Sequence, residues 1–236
     1  MWCTIVDDYR KRIEDFYTIT QQTWTDIQDL GSGIFLYKNV LPKDMDIINR
    51  LESVLNSPTN PYKYSDGLVG YAQKIPEYRD CQDFKYKKTD IAHDPSEASI
   101  QLQQLWQDVY DRQLQAVKHY CRTFNIGELR YWESINFIKY GPGQHFQEHH
   151  DNSYSYNCAV SAVSYPNDDY EGGELFFRLQ NLMVKPEAGD LFLFPSNFMY
   201  PHRAMPVQSG VKYSLVTMLD YSDKYHKPEF YQETGS

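Results

Sequence analysis

The chain has 236 residues, enough for one large domain with a sizeable core or at most two small ones. It is 41% hydrophobic and 16% aromatic, with 21 tyrosines, and its net charge of -9 argues against a broad phosphate-binding surface. No apolar run is long enough to cross a bilayer, and the first residues, MWCTIVDDYRKR, lack the apolar core of a secretory signal. Cys3, Cys81, Cys121 and Cys158 are scattered without CxxC spacing, which suits reduced thiols in the cytoplasm better than a disulfide framework.

Residues 1–30 read as a polar arm or a short helix. Ile34 to Tyr37 is the first expected strand. Pro42 marks a helix start, and Ile47, Ile48, Leu51, Val54 and Leu55 recur at helical spacing up to Asn56-Ser57-Pro58. From 58 to 95 the periodicity is poor, and the stretch reads either as a loop with a short strand or two or as a lid over a substrate. A second amphipathic helix is expected over 98–124, with Pro95-Ser96 as its cap. After Ile126-Gly127 the pattern changes to short β runs: 131–140, 157–165, 174–179, 182–185, 190–194 and 213–220. The turn residues between them indicate a sandwich or barrel. Residues 221–236 read as a polar tail. Helices precede strands without alternation, so the expectation is a mainly β (α+β) fold, a single domain over 1–236, with 31–127 supporting a core at 128–220.

Chemistry concentrates at Tyr140 to Asp151, YGPGQHFQEHHD. On a strand, residues i and i+2 share a face, so His149 and Asp151 converge while His150 points away. A third ligand is available in His202, at a strand border of the same β half. Two histidines and a carboxylate form the facial triad of non-haem Fe(II) oxygenases, which leaves positions open for a 2-oxo acid and dioxygen. Lys212, ten residues after His202, can neutralise the far carboxylate of such an acid, with Tyr140 and Tyr165 as hydroxyl donors. Taken singly, each of these residues is commonplace in a β protein; the order HxD, H, K within one β region is not.

The same residues carry a resemblance. Tyr140-Gly141-x-Gly143 leading to His149-x-Asp151 resembles the 2-oxoglutarate/Fe(II) dioxygenases of the prolyl 4-hydroxylase-like branch. So do Tyr165 to Phe177 with its Glu171-Gly172-Gly173-Glu174, Pro186 to Ser196, and His202 to Lys212 through Pro206-Val207 and Gly210. The likeness is close over roughly 130–220 and looser over 34–57. It implies a double-stranded β-helix, or jelly-roll, buttressed by the N-terminal helices, with Fe(II) held by His149, Asp151 and His202. It also implies a cosubstrate site of Lys212, Tyr140, Tyr165 and Ser161, turnover supported by ascorbate, and succinate and CO2 as coproducts. Pro166 and Phe146 depart from the family's usual leucine and tyrosine.

The resemblance further implies a peptidyl proline as substrate, with 58–95 as its clamp and Arg79, Tyr71 and Tyr78 as contacts. A hydroxylase of a free amino acid or small metabolite would use the same core. A cupin-like metal- or carbohydrate-binding jelly-roll would not need Lys212 set against a triad. A nucleic-acid demethylase would carry an arginine six residues after the cation, where this chain has Met218.

Overall fold

The computed structural model describes residues 26–58, 60–69, 72–86, 94–153 and 156–226; most of the N-terminal arm, Tyr71 and the end of the tail lie outside them. In order, the chain forms β1 (Ile27–Asp29), β2 (Phe35–Tyr37), helix α1 (Ile47–Leu55), β3 (Ser65–Asp66), β4 (Arg79–Asp80), β5 (Gln82–Tyr86) and helix α2 (Glu97–Thr123). There follow β6 (Tyr131–Trp132), β7 (Ile135–Tyr140), β8 (His145–His149), β9 (Val160–Ser164), β10 (Glu171–Gly172) and β11 (Leu175–Phe177). The last strands are β12 (Leu182–Val184), β13 (Leu191–Pro195), β14 (His202–Ala204), β15 (Val207–Ser209) and β16 (Lys212–Asp220).

Pairing is antiparallel throughout. The larger sheet runs β1-β2-β13-β9-β16-β7-β5-β3, with β6 also on β16; a smaller, five-stranded sheet runs β12-β11-β14-β8-β4, and β10 pairs with β15 apart from both. Strands distant in sequence lie side by side, which gives the jelly-roll. Strand alternation then sorts the side chains of the larger sheet into two layers. Leu191 and Leu193 of β13, Phe137 of β7 and Leu215 of β16 join the core beneath the helices. Phe192 and Phe194 face the other way and pack with Leu175 and Phe177 between the sheets.

Helix α2 presents Leu102, Leu105, Trp106, Val109, Ala116, Val117 and Tyr120 on one buried stripe, and Ser96 caps it by accepting from Ser99 N at 3.2 Å. Its buried Gln113 donates to Ser164 Oγ of β9 at 2.9 Å. Helix α1 is fastened by Glu52, which accepts from Lys139 Nζ at 2.8 Å and Tyr213 Oη at 2.6 Å. The helices thus hold the back of the larger sheet and leave its other face for the site.

Three expectations need correction. Helix α1 does not start at Pro42: a 3-10 turn over Lys43–Met45 ends at Asp46 with φ 50, and this left-handed residue separates it from the helix. The run 131–140 is two strands, parted where Glu133 N bonds Met218 O. Residues 27–29, read as part of the arm, form a hairpin strand on β2. The stretch 58–95, read as a loop with a short strand or two or as a lid, holds β3, β4 and β5, and β5 extends the larger sheet by five register pairs with β7.

Candidate active site

The two sheets enclose a cavity of about 490 Å³. From the smaller sheet come Phe146, His149, Leu175 and His202; from the larger come Ile138, Tyr140, Val163, Tyr165, Lys212 and Val216. Register builds its mouth. His202 of β14 stands directly opposite His149 of β8, so two imidazoles meet across one strand pair, their ring centroids 4.4 Å apart. Asp151 follows two residues beyond His149, and His150 between them is exposed. One donor atom each from His149, Asp151 and His202 lies within 4.8 Å of the other two. His149 Nε2 is 3.5 Å from Asp151 Oδ1, and His202 Nε2 is 3.7 Å from Asp151 Oδ2.

The inner faces of the imidazoles are fixed from behind. His149 Nδ1 is 2.8 Å from Gln147 O, and His202 Nδ1 is 3.1 Å from Tyr200 O. A carbonyl can only accept, so each Nδ1 carries the proton and each Nε2 keeps its lone pair toward the cluster. Burial, then the neighbouring His202, pulls His149 down to about 3, so its ring is neutral at physiological pH. Phe146 stacks on the His149 ring at 3.7 Å, and Phe194 meets His202 edge-on at 4.9 Å.

Ser161, expected beside the cosubstrate, is placed elsewhere. Its hydroxyl donates to Asp151 Oδ2 at 2.5 Å and lies 2.7 Å from Ser196 Oγ. It therefore orients the carboxylate from the larger sheet instead of lining the cavity. Sequence reasoning missed Ser196; the signal available was its place at the end of the Phe194-Pro195-Ser196 run.

Lys212 begins β16 opposite Tyr140. Only 1% exposed, it donates to Gly173 O at 2.6 Å, and its ammonium lies 5.4 Å from the Tyr140 ring and 5.1 Å from that of Tyr165. Burial, and then the charge of Lys185, pulls its ordinary value of 10.5 down to about 7. Lys185, a second residue not anticipated, donates to Tyr170 O and Gly172 O, both at 2.7 Å. Burial raises the phenols of Tyr140 and Tyr165 well above their usual range, so both remain hydroxyl donors. A buried ammonium with one carbonyl acceptor and two phenols around it is a receptor for an anion.

Arg79 and Tyr78 line the cavity, but Arg79 is committed. Its guanidinium pairs with Asp83 at 2.7 Å, donates to Leu68 O at 2.6 Å and covers the Phe146 ring at 4.9 Å. It supports the wall and is not a free contact, because a buried guanidinium needs those partners. Tyr78 is 36% exposed and donates to Glu148 O at 2.7 Å, its ring edge-on to Phe146.

Two histidines and an aspartate converging in a jelly-roll cavity that Lys212 also lines are the donor set that a non-haem-iron oxygenase using a 2-oxo acid needs. Residues 135–219 match the family model of the 2OG-Fe(II) oxygenase superfamily, a span that holds His149, Asp151, His202 and Lys212. A protein of Acanthamoeba polyphaga mimivirus named as a prolyl 4-hydroxylase is 28% identical over 132 residues, covering 47% of this chain and 54% of the viral one. This chain thus spans about half the length of that relative. Among solved structures, the Trichoplax adhaerens prolyl hydroxylase in complex with a peptide of the hypoxia inducible factor oxygen degradation domain superposes with a TM-score of 0.62. The identity is 16%, over 95% of this chain and 96% of that one. A Pseudomonas putida prolyl-4-hydroxylase superposes with a TM-score of 0.56 at 22% identity, over 80% of this chain and 92% of that one. Iron(II) and 2-oxoglutarate fit the donor set: nitrogen and carboxylate oxygen for the metal, a buried cation for the dianion.

Proposed function

We propose that this chain binds Fe(II) through His149 Nε2, a carboxylate oxygen of Asp151 and His202 Nε2. It would couple oxidative decarboxylation of 2-oxoglutarate to hydroxylation of a prolyl residue in a peptide or protein. The observation that carries this reading is buried Lys212 in the same cavity as the three converging donors. When bound, iron and 2-oxoglutarate supply the oxygen chemistry, with succinate and CO2 as coproducts.

The chain's own residues do the rest. The two Nδ1–H bonds hold both imidazoles in the ligating tautomer, and Ser161 turns the Asp151 carboxylate toward them. Lys212 takes the distal carboxylate of 2-oxoglutarate, with Tyr140 and Tyr165 as further donors. Ile138, Val163, Leu175 and Val216 keep the reacting end dry. Tyr78 and Phe146 give the mouth an aromatic wall suited to a proline ring, Arg79 stiffens that wall, and Tyr71 remains a candidate contact from its position in the sequence. The named prolyl hydroxylases above support this substrate. Over a free amino acid, a peptide is favoured by the second cavity described below. Acidic charge and Met218, which lines the cavity, argue against nucleic acid.

We take 128–220 as the catalytic core of a single domain, with 31–127 as its support and 221–236 as a tail. Cys81, Cys121 and Cys158 are free thiols, and no helix among the described residues is long and apolar enough to cross a membrane; the cytoplasm is the compartment we assign. Purified protein given Fe(II), ascorbate and 2-oxoglutarate will form succinate, and mass spectrometry will find +16 Da on proline in accepted peptides. His149→Ala, Asp151→Ala and His202→Ala will each abolish turnover. Metal-loaded wild type that forms no succinate would overturn the reading.

A further inference from the structure

The triad cavity continues sideways. A second cavity, of about 740 Å³, adjoins it and shares Leu68, Val69, Arg79, Lys85 and Tyr156 in its lining. A cavity of about 490 Å³ takes a small dicarboxylate and one side chain, so the peptide adjoining the target residue has to leave by such a groove.

The groove differs in charge from the chain around it. The net charge of the protein is -9, yet the charged side chains here are Lys63, Arg79, Asp83 and Lys85, of which Arg79 and Asp83 neutralise each other. Lys63 is spoken for, donating to Leu55 O and Ser57 O at 2.8 Å each. Lys85 is exposed and has no ion-pair partner among the described residues. Register aims it: Lys85 lies opposite Asn136, which lines the triad cavity, while its neighbours Phe84 and Tyr86 enter the core beneath the helices. Lys85 is therefore shared by the linings of both cavities, on the face of β5 turned away from the helices. Glu133 lines the triad cavity but not the groove, so an anion is favoured on the groove side of the target.

We propose that the substrate segment next to the hydroxylated residue runs along this groove and carries an acidic side chain that pairs with Lys85. The inference rests on the reading of the chain as a peptide hydroxylase, and its test separates the two. Fluorescein-labelled peptides with blocked ends, a central proline and either glutamate or glutamine on one side are titrated by anisotropy, with manganese(II) and 2-oxoglutarate present. One glutamate peptide will bind roughly fivefold tighter than its glutamine twin. Lys85→Glu will reverse that order and favour a lysine peptide. Arg112→Glu, the same charge change at an exposed position of α2, will leave the order intact. Equal binding of glutamate and glutamine peptides, no binding of any peptide, or equal losses for both in Lys85→Glu overturns the inference. So does a preference that appears only when the peptide carries a free C-terminal carboxylate. Binding needs no turnover: absent succinate with the charge preference intact would sink the oxygenase reading alone, and succinate without the preference would sink this inference alone.

Discussion

Replacing Lys212 by methionine has opposite expected effects on the free and the liganded protein. In the free protein the ammonium is buried against Gly173 O. Lowering it from 10.5 to about 7 corresponds to about 5 kcal/mol of disfavoured charge. The unfolded chain holds the proton more tightly, so this penalty is fully present below pH 7 and is relieved as pH rises from 7 to 10.5. Methionine removes the charge but leaves the Gly173 carbonyl without its donor, a loss of about 2 kcal/mol. The expected net gain is about 2–3 kcal/mol near pH 7, a rise in Tm of roughly 4–12 °C for a chain of this size. With 2-oxoglutarate the sign inverts, because losing a buried carboxylate–ammonium pair weakens binding by about 2–5 kcal/mol. Scanning fluorimetry with manganese(II) in place of iron, with and without millimolar 2-oxoglutarate, reads both effects. The variant will start higher and will not shift when 2-oxoglutarate is added. A variant with a lower starting Tm and an undiminished shift would refute the argument.

Other outcomes follow from the same geometry. Ser161→Ala removes the donor on Asp151 Oδ2; metal affinity, read by competition with a chelating dye, should fall about 10–100-fold while the far-ultraviolet circular dichroism stays unchanged. Binding of 2-oxoglutarate should take up a proton, because free Lys212 titrates at about 7 and the bound dianion needs it charged. Affinity should then weaken by up to about tenfold per pH unit above 7, and calorimetry near pH 8 in buffers of different ionisation enthalpy will show the uptake or disprove it. Gly173 has φ +67, and a Cβ there would stand 3.0 Å from Lys212 Cδ and from Tyr170 Cε2. Gly173→Ala should raise the KM for 2-oxoglutarate; an unchanged value would mean that the turn does not position the lysine.

What could be read from the chain alone tracked the regularity of each segment. Helix α2 was legible because its apolar stripe repeats over many turns and a serine caps it. That His149, Asp151 and His202 meet could be anticipated because the ligand chemistry is narrow and the i, i+2 spacing brings two of them together, although Asp151 lies two residues past the end of β8. The direction of Ser161 was not: every residue of β9 is buried, so neither face of the strand is marked by polarity. The strand Ile27–Asp29 is too short for a period to show, and β5 breaks alternation where Asp83 and Phe84 are both buried, within a polar stretch that hides it further. The break at Asp46 depends on one left-handed residue, which composition does not announce.

The triad draws on both sheets. His149 and His202 belong to the smaller sheet, while Asp151 is tethered through Ser161 to the larger, and Asn152 N adds a bond to Ser196 O beside it. An ion held there is a rivet through two layers at their open edge. Metal occupancy would then set how firmly the sandwich is shut, and the chain without an ion there would be held more loosely, with the rim of its cavity free to part.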